Sequence, residues 1–177
     1  MKDDEAKFRD FVGVQLEPLR GLAYLTCGDW QAGEDAVLTV LARLYVKWRH
    51  IDNPIAYART AVVRAAIDET RRPWWRREEA AGDALPDRPL PDDLTGEVDE
   101  RLRVRAALLR LPARQRAVLV LRFLEGLGVQ QTAEALRCPA GTVKAYTSRG
   151  LDGLRQILGT DVSIDDQTEG LHEVRSS

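Results

Sequence analysis

The chain has 177 residues, 44% of them hydrophobic, and a formal net charge of −2. That apolar content excludes wholesale disorder, and the length fits one domain or two small ones. No apolar run approaches the roughly 20 residues that cross a bilayer. The acidic opening Met1-Lys2-Asp3-Asp4-Glu5 has no apolar core for export, so a cytoplasmic protein without a membrane partner is expected.

Strand signals are almost absent and helical spacing repeats along the chain, which predicts an all-α fold. Residues 8–26 set Phe11, Val12, Leu16, Leu19, Leu22 and Ala23 in helical register, with Pro18 an expected kink or break. Cys27 follows, far from Cys138. Neither has another Cys or a His near enough to complete a ligand set, so both read as packing or capping residues in a reducing compartment, with no metal and no cofactor implied. Asp29 is placed to cap a second helix over residues 30–48, whose Val37, Val40, Leu41, Leu44 and Trp48 form a stripe fit for burial. Residues 49–53 make a loop. Asn53-Pro54, a capping side chain followed by a preset φ, then starts a third helix that runs to about Arg72 and ends at Pro73.

Residues 73–97 hold four of the eight prolines, Pro73, Pro86, Pro89 and Pro91, among Asp83, Asp87, Asp92 and Asp93. This predicts a flexible acidic linker between one helical domain, residues 1–72, and a second, residues 98–158, each near the lower limit for an independent core. At the linker's start, Arg71-Arg72-Pro73-Trp74-Trp75-Arg76-Arg77 interleaves two Trp with four Arg. That suits a stacking platform for displaced DNA, and equally a packing of the linker on the first domain or on a partner.

In the second domain, Leu111-Pro112 opens a helix over residues 113–125 with Val118, Leu121 and Leu124 in register, closed by Gly126. Residues 129–136 form a short helix, Arg137-Cys138-Pro139 a tight turn, and Pro139 suits the first position of a helix reaching about Leu158. At about 100° per residue, Val143, Thr147, Gly150, Leu151, Leu154 and Leu158 gather on one side. Ala145, Ser148, Arg149 and Asp152 fall opposite, flanked by Lys144 and Arg155. This is a helix-turn-helix. Its second helix is suited to the major groove, where Lys and Arg contact guanine or phosphate and small apolar groups meet a thymine methyl. Lys144, Ser148 and Arg149 are the first candidates; Tyr146 reads equally as a partly packed aromatic. Residues 159–177 read as an acidic, disordered tail.

The overall charge conceals a division. Residues 1–72 carry eleven basic and eleven acidic side chains, 73–97 three and seven, 159–177 one and five, and 98–158 eleven and five. The basic block is the one that holds the helix-turn-helix, as a phosphate-contacting module requires.

Two sets of motifs carry a family resemblance over residues 8–158. One is Gly33-Glu34-Asp35-Ala36-Val37 with Ala66-Ile67-Asp68 through Arg71-Arg72. The other is Leu111-Pro112, Arg116, Leu121-Arg122-Phe123, Gly126, Ala133-Glu134-Ala135-Leu136, Gly141-Thr142-Val143-Lys144 and Ser148-Arg149-Gly150-Leu151. Together they resemble the extracytoplasmic-function sigma factors of bacterial RNA polymerase, in their short actinobacterial form. The resemblance implies two small helical domains, sigma regions 2 and 4, joined by a flexible linker. It implies core RNA polymerase and promoter DNA as partners, an anti-sigma protein in many members, and no small-molecule substrate. By the same resemblance Glu34, Asp35, Leu38 and Arg43 would bind polymerase. Arg49, His50, Asn53, Tyr57, Arg59, Arg64, Arg71 and Arg72 would act at the minus-10 element, and Thr142, Lys144, Ala145, Tyr146, Ser148 and Arg149 at the minus-35 element. Opening the duplex costs a few kcal/mol per base step, recovered when an extruded base is held and the single strand lies on basic and aromatic groups. The chain departs from the family pattern at Leu38, where Gln is usual, at Arg64, where Asn is common, at Gln131 and Thr132, usually Glu and an apolar residue, and at Ala145 and Tyr146, often Ser and Arg.

A second reading is a stand-alone helix-turn-helix regulator whose N-terminal helical domain dimerises or senses a ligand. An enzyme finds little support. There are two histidines, His50 and His172, no Gly-rich phosphate loop and no nucleophile motif, so no catalytic residues are expected.

Overall fold

The computed structural model describes residues 2–70 and 97–159. Seven α-helices account for most of them: α1 Lys2–Cys27, α2 Trp30–Lys47, α3 Pro54–Thr70, α4 Glu97–Leu109, α5 Ala113–Leu119, α6 Val129–Leu136 and α7 Ala140–Leu158. A 3-10 turn, Trp48–His50, follows α2, and a π turn, Val120–Leu124, continues α5. No strand occurs among the described residues.

Helices α1 to α3 form a three-helix bundle around Leu19, Ala23, Val37, Val40, Leu44, Ala58 and Val62. The expected break at Pro18 does not occur, and α1 runs through it. An interior proline costs about 3 kcal/mol or more. Leu19, Leu22 and Ala23, just beyond it, are 0%, 6% and 0% exposed, and burying one leucine side chain returns about 1.5–3 kcal/mol, so packing outweighs the lost helix bond. The Asp29 side chain accepts from the Ala32 backbone N–H at 2.8 Å, and Asn53 Oδ1 does the same for Ala56 at 3.1 Å. Both caps stand where the sequence puts them. Gly33 lets α2 approach α1 closely, because a Cβ there would lie 3.3 Å from both Ala23 Cβ and the Tyr24 backbone nitrogen.

Helix α4 is not among the helices expected from the sequence, although Val104, Ala107, Leu108 and Leu111 carry the i, i+3, i+4, i+7 spacing. Ala107, Leu108 and Leu111 are buried. They belong to a cluster that takes Leu22 and Leu25 from α1, Val63 and Ile67 from α3, and Ala117, Leu119, Leu121 and Leu154 from the second half. The two halves therefore bury apolar surface against each other, which compensates for the thin core that about 60 to 70 residues can build. The expected linker lies outside the described residues except Glu97, which begins α4, and the tail lies outside them beyond Gly159.

Candidate nucleic-acid and polymerase interface

The helix-turn-helix is built by local chemistry. Helix α6 ends with Arg137 in the left-handed region, φ 52°, while the Cys138 N–H bonds back to Ala133 O at 3.0 Å, a Schellman closure. Pro139 is extended, φ −62° and ψ 147°, so it caps α7 from outside and the helix starts at Ala140, one position later than expected. On α7, Val143, Thr147, Gly150 and Leu154 are buried, and Leu151 and Leu158 pack partly against the shared cluster. Lys144, Ser148, Arg149, Asp152 and Arg155 are exposed, and Ala145 is half-buried. The two faces fall as the spacing predicts. Tyr146 packs partly beside Val118, Ala133 and Val143, and Thr142 is half-buried at the helix start.

Leu124 breaks the expected register and is 50% exposed. The π turn explains it: Glu125 N–H bonds to Val120 O, five residues back, which inserts a residue and displaces the side chains that follow. The turn delivers Glu125 to the seam between the halves. There its carboxylate receives both Nε and Nη2 of Arg59 on α3, at 2.5 and 2.7 Å, and the Glu125 side chain is only 9% exposed. The hydrogen bonds that Arg59 donates to Glu125 raise its pKa above the ordinary guanidinium value, against the opposing effect of burial.

Arg64, also on α3, donates from Nε to Ala135 O at 2.5 Å and from Nη2 to Glu134 O at 3.3 Å. It thereby caps the C-terminal carbonyls of α6, where a cation is favoured by the helix dipole. Burial, and then the nearby charge of Arg137, lower its pKa. Arg116 works the same way from the opposite side. It is 5% exposed and donates to Thr26 O at 2.8 Å, Leu109 O at 2.9 Å and Leu111 O at 3.3 Å, joining the ends of α1 and α4.

Among the other residues expected at the minus-10 element, Arg49 pairs with Asp4 at 2.6 Å, Asn53 serves as the α3 cap and Tyr57 packs partly into the bundle core. His50 is exposed. Arg71, Arg72, Trp74 and Trp75 lie outside the described residues. Of the expected polymerase-binding residues, Glu34 is tied to Arg20 of α1, whereas Asp35, Leu38 and Arg43 are exposed on the outer side of α2. Leu38 is 61% exposed, and Tyr45 and Val46, both about two turns along and not among the expected residues, are 50% and 80% exposed. Their spacing from Leu38 was the available signal: an apolar stripe on the side away from the buried one.

A sigma-70 region 4 family model matches residues 101–152. The RNA polymerase sigma-E factor of Streptomyces coelicolor is 35% identical over 156 residues, covering 86% of each chain. The ECF RNA polymerase sigma factor SigW of Bacillus subtilis is 27% identical over 172 residues, covering 89% of this chain and 91% of that one. The chain belongs to the ECF family of RNA polymerase sigma factors. In fold it is similar to the sigma factor RpoE of Bartonella quintana, solved in complex with the anti-sigma factor NepR. The TM-score is 0.65 at 22% identity over 88% of this chain and 98% of that one. Family and structure agree on the helix-turn-helix, since the matched residues run from α4 through most of α7. Among the described residues there is no group of His, Cys, Asp or Glu suited to a metal ion, and no helix long and apolar enough to cross a membrane.

Proposed function

We propose that this sigma factor docks on core RNA polymerase through the outer side of α2 and directs initiation by reading promoter DNA with both halves. It works as a cytoplasmic binding subunit with no catalytic chemistry of its own. The observation that carries the assignment of sites is the separation of faces on α7. Val143, Thr147, Gly150 and Leu154 are buried while Lys144, Ser148 and Arg149 are free to enter a groove. In this reading Thr142, Ala145 and Tyr146 border the minus-35 contact. Arg49, His50, Asn53, Tyr57, Arg59, Arg64, Arg71 and Arg72 serve the minus-10 element, and Glu34, Asp35, Leu38 and Arg43 serve polymerase.

Arg59 and Arg64 are engaged by the C-terminal half, so using them on DNA requires the halves to part. Division into a polymerase-binding and melting domain, a linker and a minus-35 domain supplies the freedom to do so. The exposed apolar stripe Leu38, Tyr45 and Val46 is suited to polymerase or to an anti-sigma protein that covers it.

The test is a sizing column followed by transcription. The purified chain mixed with core polymerase should co-elute and confer initiation from particular genomic fragments. Absence of both, with tight operator binding by the chain alone, would establish the stand-alone regulator instead. Within that assay, Arg149→Ala should lower initiation at the minus-35-dependent promoter by about tenfold, the value of one good base or phosphate contact, and leave co-elution unchanged.

A further inference from the structure

Between α3 and the helix-turn-helix lies a cavity of about 200 Å³. Arg64 reaches it from α3, Arg114 from the first turn of α5, Arg137 from the turn before α7, and Thr142 and Tyr146 from α7 itself; Asp68 is the acidic residue in its lining. Among the described residues the lining therefore holds three arginines, from three separate pieces of chain, and one carboxylate. Among the described residues, neither Arg114 nor Arg137 has a carboxylate partner, and Arg64 hydrogen-bonds through Nε and Nη2 only. Arg64 is half-buried, while Arg114 and Arg137 are exposed at the cavity's rim; like charges gathered there repel one another, and an anion between them relieves that repulsion.

We propose that this cavity binds a small phosphate-bearing anion of about the size of pyrophosphate. Arg64, Arg114 and Arg137 supply charge-assisted donors, Thr142 a hydroxyl, and Tyr146 an aromatic wall. The volume is below the roughly 300 Å³ at which pockets for larger ligands begin, which favours a compact anion over a dinucleotide. The site is composite. Arg64 belongs to one half and the other donors to the other, so it exists only while the halves are together. Its occupant strengthens the closed arrangement and competes with promoter DNA for Arg64, Thr142 and Tyr146; this consequence, unlike the binding, rests on the sigma-factor reading.

Titration calorimetry of the full chain with inorganic pyrophosphate, at constant ionic strength, tests the site. Saturable binding at one site per chain is expected. Arg114→Gln with Arg137→Asn should weaken it by at least about tenfold, as loss of charge-assisted bonds does, and asparagine tolerates the left-handed conformation at position 137. Arg64→Gln, on the opposite half, should weaken it comparably, and Asp68→Asn should tighten it. Binding unchanged in the double variant overturns the proposal. So does a duplex without promoter sequence that binds independently of Arg64 while pyrophosphate does not bind, because the cations then serve only the DNA backbone. Failure of the sigma-factor reading has a separate signature: pyrophosphate binds and responds to these variants, yet the chain neither co-elutes with polymerase nor supports initiation.

Discussion

Thr132 is fully buried, and among the described residues its hydroxyl has no hydrogen-bond partner. The family resemblance places an apolar residue at this position, and the structure shows why, since a buried unpaired hydroxyl costs about 1–3 kcal/mol. Thr132→Val keeps the shape and removes the hydroxyl, so chemical denaturation should show a gain of about 1 kcal/mol. A loss would mean that the hydroxyl is satisfied in solution. Arg122 presents a related case, 7% exposed with Nε unpartnered and its guanidinium 5.6 Å from the Phe123 ring centre. Arg116 is the opposite: buried, but donating to three carbonyls at the ends of α1 and α4. Burial lowers its pKa from the ordinary guanidinium value. Arg116→Met fills similar space but leaves those carbonyls unmet, and should cost about 2–4 kcal/mol in the same measurement. Arg116 was visible in the sequence as a family position, but its partners were not, because Thr26 O lies 90 positions away.

The helices show where local signals suffice. Asp29 and Asn53 cap the helices they precede, and the alternation of faces on α7 follows from spacing alone. Side chains at i, i+3 and i+4 share a face whatever surrounds them. Three features escape such reasoning. Helix α1 survives Pro18 because α2 and α3 pack against it, the π turn moves Leu124 outward, and α7 comes close to α5 at Gly150. A Cβ at Gly150 would stand 2.9 Å from Leu119 Cδ1 and 3.1 Å from its Cγ, so Leu119 as a whole would have to shift. Gly150→Ala should therefore destabilise by about 1–3 kcal/mol, although alanine is the better helix former. A lower unfolding midpoint with the outer face of α7 unaltered is the expected result. Equal stability would show that α7 is free to shift.

In the molecule as a whole, the halves meet through a continuous apolar cluster and two arginines of α3. Arg59 and Arg64, two of the arginines expected to handle promoter DNA, hold the second half in this arrangement. Glu125 is the partner whose loss should loosen it. Glu125→Ala removes a bidentate pair from a position 9% exposed, while Arg59, at 34%, keeps some access to water. Small-angle scattering should report a larger radius of gyration for the variant, and the free chain should bind nonspecific duplex more tightly, by up to about tenfold for a gain of some 1.4 kcal/mol. An unchanged radius with unchanged affinity would show that the apolar cluster, with the Arg64 and Arg116 hydrogen bonds, keeps the halves closed without this pair.

Most of the helices, the Asp29 and Asn53 caps, the helix-turn-helix and the exposed basic face of α7 were determined by the sequence itself, because spacing, capping and turn chemistry act within a few residues. So was family membership, carried by motifs that are each contiguous or nearly so. The pairing of Arg59 with Glu125 and of Arg64 with Ala135 spans 66 and 71 positions, and the composite cavity draws on α3, α5 and α7 together. Only tertiary structure decides such contacts, because they depend on how two packed bodies meet, and no local pattern encodes that distance.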